Sequence, residues 1–231
     1  MMRFSMSTYS SLGKKIFMGL TGLLLCGFIV IHLIGNLTLL NPDKDPFNKY
    51  SHFLTQELGN IIYVAEFLLA AVFLIHLIYA IVVTLNNWRA RPQNYSVVKN
   101  AKHTSKKTIA STTMIYTGIV IIVFLVWHLL HFKFGEVIMY TTADGKHIRD
   151  LYVVVHQFYG NSVNVILYVL VMALLGFHLS HGFWSAFQSL GLNGKHFTPF
   201  IYTLGSVFAV LMAIGFIFLP LYIFIITGGA Q

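Results

Sequence analysis

Charge is what this chain has least of. Only 10% of its 231 residues are Asp, Glu, Lys or Arg, against roughly 25% in soluble domains; 57% are hydrophobic and 15% aromatic. Such a chain is an integral membrane protein. Cysteine is reduced to one residue, Cys26, inside the first apolar run. That excludes an intrachain disulfide, a C-x-x-C-H haem attachment and a cysteine-ligated iron–sulfur cluster. Neither G-x-G-x-x-G nor a P-loop occurs, so the usual cradles for dinucleotides and nucleoside triphosphates are missing. Any redox group must therefore be held noncovalently. No low-complexity linker interrupts the chain, no internal repeat stands out, and "NPDKDPFNKY" (41–50) reads as a turn-rich loop.

Long uncharged runs are what is present. Judged against the roughly 20 apolar residues that cross a hydrocarbon core, they predict spans near 16–39, 59–85, 109–132, 152–187 and 199–227. The expected fold is all-α: a single membrane domain over 1–231 with five transmembrane helices. The first run lacks a small-residue cleavage site after a short apolar core, so it is expected to stay as a helix. The net charge of +8 sits in segments flanking the spans without interleaved aromatic platforms, which argues against nucleic acid as a partner. Ten of the Lys and Arg residues fall on one side: Arg3, Lys14, Lys15, six between 86 and 108, and Lys195. Five fall on the other: Lys44, Lys49, Lys133, Lys146 and Arg149. Basic loops resist translocation, so the N-terminus is expected in the cytoplasm.

Four of the apolar runs carry an imidazole: "FIVIHLIGN" (His32), "VFLIHLIYA" (His76), "FLVWHLLHF" (His128) and "LLGFHLSHG" (His178). One neutral histidine can serve as a hydrogen bond between helices; four at matched depths ask for more. At 1.5 Å per residue, His32 and His128 lie roughly 24 and 28 Å from the inner starts of helices 1 and 3. His76 and His178 lie roughly 14 Å before the inner ends of helices 2 and 4. Two layers result, each fed by two helices. Two bis-imidazole haem b sites inside a four-helix bundle account for that pattern, with a fifth helix alongside. His131 and His181 follow His128 and His178 by one turn and are alternative ligands. His131, beside Lys133, also suits an interfacial or propionate contact, and His181 suits either that role or a quinone. His52, His103, His147, His156 and His196 fall in loops or near span ends and read as mostly solvated. Gly22, Gly27, Gly118 and Gly176 admit either a macrocycle or close helix packing.

"SLGKKIFMGLTGLLL…HLIGNL", "WHLLHFKFGE" and "HLSHGFWSAFQSLG" resemble the single-chain, five-helix, two-haem cytochrome b subunit of succinate dehydrogenase and fumarate reductase. The likeness runs over nearly the whole chain. It implies that His32 and His128 hold the haem distant from the catalytic subunits and that His76 and His178 hold the proximal one. It also favours His178 over His181, since the family's ligand precedes a glycine by four residues, as His178 precedes Gly182. The implied function is electron transfer between a quinone, by family expectation menaquinone, and an iron–sulfur subunit on the cytoplasmic face, itself bound to a flavoprotein subunit. The implied location is a bacterial cytoplasmic membrane.

Glu66, the one carboxylate well inside a span, lies roughly 15 Å along the axis from His76, toward the outer side. It is the candidate for proton exchange with quinone; the alternative is a protonated carboxyl bonded between helices. Lys14, Lys15, Arg89 and Arg91 are candidates for propionate contacts or for docking the iron–sulfur subunit, or serve orientation alone. A quinol–cytochrome c reductase type of cytochrome b, in which as a family feature two helices each carry two ligands thirteen or fourteen residues apart, is not matched by any span. The rival from another class is a histidine-lined transporter or proton channel without haem. It would favour broken helices at the midplane, whereas the spans show only Pro220, near the end of helix 5.

Overall fold

The computed structural model describes residues 10–90 and 109–228. It is all-α apart from one small hairpin, and five of its helices are long and apolar enough to cross a membrane: α1 (Ser11–Asn36), α3 (Asn60–Arg89), α4 (Ile109–His128), α6 (Ser162–Ser189) and α7 (Phe197–Ile226). The chain is a multi-pass membrane protein with five candidate spans. Two short helices, α2 (Asp45–His52) and α5 (Leu151–Gly160), and two three-residue antiparallel strands, β1 (Met139–Thr141) and β2 (His147–Arg149), lie between them.

The packing fixes the order around the bundle. α1 touches α3 and α6, α4 packs on α6 and only brushes α3, and α7 lies along α6 while also touching α1. Hence α1 stands diagonally across from α4, and α3 from α6. The seam with α7 depends on small residues that let backbones approach. A Cβ built on Gly176 would come within 2.9 Å of the Ala213 side chain, and one on Gly215 within 2.6 Å of Leu33.

Local chemistry sets the helix ends. The Ser10 hydroxyl accepts from the Gly13 amide at 3.0 Å and starts α1, satisfying one of the donors a helix start leaves free. The expected span 152–187 is divided in two. At Asn161 the backbone turns extended, the Asn161 side chain caps the first amides of α6, and the Asn164 amide donates to the Phe158 carbonyl at 2.9 Å. Residues 151–160 thus form a separate helix, capped by Asp150.

The segment 41–50 is more than a loop, because Pro46 and Asp45 open α2 there. α2 and the hairpin form a roof over the end of the bundle opposite the start of α1. Buried Asp150 receives Lys44 at 2.5 Å and the Asn48 amide at 2.8 Å, and Asn48 in turn accepts from the Tyr152 amide at 2.8 Å. Tyr140 donates to Asp45 at 2.8 Å, Lys49 bridges Asp45 and Asp144, and Lys146 pairs with Glu57. A buried cluster that includes Leu33, Leu39, Phe47, Tyr159 and Ile223 ties this roof to α1, α5, α6 and α7.

Candidate functional site

His32 and His128 lie near the ends of α1 and α4, whereas His76 and His178 lie just past the midpoints of α3 and α6. Each pair therefore spans one diagonal of the bundle, at its own level. The His32 and His128 rings stand at 80° to one another with centroids 5.8 Å apart. With metal–imidazole bonds of about 2 Å, two rings that share one ion have centroids roughly 6 Å apart.

The outer pair sits in an aromatic cage. Phe28 stacks on His32 at 5.4 Å, and Phe124 and Phe132 flank His128 at 5.6 and 5.1 Å. His128 Nδ1 is hydrogen-bonded to the Tyr168 hydroxyl at 2.9 Å, and Tyr168 is buried among Phe124, Trp127 and Tyr159. α4 ends at His128 in a single π turn, Leu129–Lys133. Such turns widen the helix and occur often at functional sites.

The inner pair is held by hydroxyls instead. His76 Nδ1 lies 3.3 Å from Thr21 Oγ1 and 3.2 Å from the Met18 carbonyl, both on α1. His178 Nδ1 lies 3.1 Å from Thr117 Oγ1 on α4. The next residue in each case is glycine: a Cβ on Gly22 would sit 3.3 Å from His76 Cε1, and one on Gly118 3.8 Å from His178 Cε1. Gly22 and Gly118 thus face imidazoles. Gly176 belongs to the α6–α7 seam, and Gly27 has open space.

The two neighbouring histidines differ from those four. His131 is exposed, its Nδ1 bonded to the Trp127 carbonyl of its own helix at 2.8 Å, with Phe158 edge-on at 4.9 Å. His181 packs edge-on against Trp184 at 5.2 Å, and its Nδ1 is buried without a hydrogen-bond partner. Glu66 forms an ion pair with Lys133 at the π turn, so α3 and α4 are bridged at the level just beyond the outer histidines. Lys14, Lys15 and Arg89 take part in no salt bridge to a described residue. Arg91 lies outside the described residues.

Sequence reasoning missed Thr21, Thr117 and Tyr168, and for the threonines a signal existed. "MGLTGLLLCGFIVIH" (18–32) and "MIYTGIVIIVFLVWH" (114–128) share Met, Thr, Gly, Phe, Val and His at the same spacing. That is an internal repeat, masked by the apolar residues around it. Both copies play the same part, offering a Thr-Gly step to the inner histidine of the neighbouring helix and a histidine to the outer level.

Among the described residues no group of three or more His, Cys, Asp or Glu side chains converges. The donor set suits a group that brings its own equatorial ligands and needs only two axial imidazoles. Fold and site together define a five-span helical membrane protein with two cross-bundle imidazole pairs. No protein-family model, curated protein or solved structure matches the chain.

Proposed function

We propose that this chain is the di-haem cytochrome b membrane subunit of a succinate:quinone oxidoreductase. The observation that carries the reading is the pair of diagonals: His32 with His128 at one level, His76 with His178 at another, with three of the four rings bonded through Nδ1. A ring engaged at Nδ1 has Nε2 free for an axial bond, the arrangement in which ligating histidines are usually oriented. Bound haem b supplies the one-electron couple.

The chain's own residues do the rest. Aromatic rings pack against the outer pair, and the inner rings are fixed from the neighbouring helices. Glu66, held by Lys133 at the outer level, is the group proposed to exchange protons with quinone, with menaquinone as the expected type. The electrons pass to or from an iron–sulfur subunit and its flavoprotein, docked at the cytoplasmic face near Lys14, Lys15 and Arg89. The host membrane is the bacterial cytoplasmic membrane, with the N-terminus inside.

The test is the reduced-minus-oxidised optical spectrum of the purified chain with haem quantified per polypeptide. Two noncovalent low-spin haems b are expected. A folded, haem-supplied chain without haem would sink the proposal and leave a haem-free transporter as the better account.

A further inference from the structure

The inner histidines raise a question that the axial-ligand reading leaves open: what decides which ring nitrogen carries the proton. Hydrogen-bond bookkeeping around Thr21 and Thr117 answers it. Each hydroxyl has one proton, and each is placed to donate that proton to its own helix. Thr21 donates to the Phe17 carbonyl at 2.7 Å, and Thr117 to the Thr113 or Met114 carbonyls at 3.2 and 3.1 Å. With its proton kept on its own helix, each oxygen turns a lone pair toward its histidine, and Nδ1 is then the donor. At His76 the conclusion is doubly fixed, because the second partner of Nδ1 is the Met18 carbonyl, which can only accept. Both threonines are buried, so water does not compete for the bond.

We infer that Thr21 and Thr117 are positioning residues that lock His76 and His178 in the Nδ1–H tautomer and aim Nε2 into the bundle. The inference rests on the proposed haem reading for its purpose, though not for its geometry. The two sites are not equal. His76 keeps the Met18 carbonyl if its threonine is lost, whereas among the described residues Thr117 is the one hydrogen-bond partner of His178 Nδ1. Gly22 and Gly118 complete the device by leaving each ring free of a neighbouring side chain beside Cε1.

The experiment uses the full chain with ¹⁵N-labelled histidine, haem-free and haem-loaded, comparing wild type with Thr21→Val, Thr117→Val and Thr117→Ser. In the haem-free chain, ring-nitrogen shifts should report Nδ1 protonated at both histidines. Thr117→Val should mix the tautomers at His178, Thr21→Val should leave His76 in the Nδ1–H form, and Thr117→Ser should restore the wild-type spectrum. In the haem-loaded chain, Thr117→Val should weaken inner haem retention by about 10–100-fold, the usual cost of losing a partner of a ligating histidine, while Thr117→Ser retains it.

Nε2-protonated His178 in the wild type overturns the inference, and so does a Thr117→Val chain with unchanged tautomer and retention; neither result touches the haem count. A chain that binds no haem overturns the proposed function, while the ring-nitrogen shifts of the haem-free chain still decide the tautomer lock.

Discussion

His32 and His128 face each other across a diagonal of the bundle with ring centroids 5.8 Å apart, although they belong to helices that do not pack on one another. Replacing either with alanine should therefore empty one site and leave the other. On the proposed haem reading, haem content is expected to fall from about two to about one per chain in His32→Ala or His128→Ala, with the inner pair retaining its group. Loss of both haems in either variant would contradict independent diagonals.

Tyr168 supports the outer pair from behind. Tyr168→Phe keeps the ring packing with Phe124 and Trp127 but leaves His128 Nδ1 without its hydroxyl partner. The expected cost is about 1 kcal/mol in stability and about tenfold in retention of the outer haem. Thermal unfolding in detergent and haem titration measure the two effects separately.

Glu66 and Lys133 join α3 to the π turn after His128. If Glu66 exchanges protons with quinone, Glu66→Gln should lower quinone-linked turnover by about 100-fold or more with both haems bound. Lys133→Met should affect turnover less, since it removes the partner and leaves the acid. Normal turnover in Glu66→Gln removes the residue from the chemistry.

The roof carries its own pH dependence. The hydrogen bond from Lys49, followed by that from Thr142, holds the Asp144 carboxyl down at about 2, and the Tyr140 hydroxyl lowers Asp45 below its ordinary value of 3.8. Groups depressed on folding contribute stability that is present above the ordinary carboxylate range and is lost as pH falls through the folded value. Hydrogen-exchange protection factors in residues 139–149 should thus stay high at neutral pH and fall between about pH 4 and pH 2. The Lys49–Asp144 pair is exposed, so added salt should weaken its share of the protection.

The spans and the depths of the histidines were legible because both obey simple rules: about 20 apolar residues to cross the bilayer, and 1.5 Å of rise per residue. The roof was not. α2 and the hairpin are short polar segments whose order comes from contacts far apart in sequence, such as Asn48 with Asp150 and Tyr140 with Asp45. The break at Asn161 was hidden because the flanking residues on both sides are equally apolar, and only the caps mark the joint. Thr21 and Thr117 look like ordinary membrane-helix threonines bonded to their own backbone. Only the fold reveals that the free lone pair of each meets an imidazole from another helix.

A helix is a stiff rod, and α1 carries Thr21 at one level and His32 at the other, about 16 Å apart along its axis. α4 carries Thr117 and His128 in the same relation. Neither rod can slide or rotate at one storey without dragging the other along. Each level can keep its own occupant when the other is emptied, but a rigid shift of α1 or α4 that reseats the outer rings also moves the hydroxyls that hold the inner ones, with no side chain needed to relay the movement.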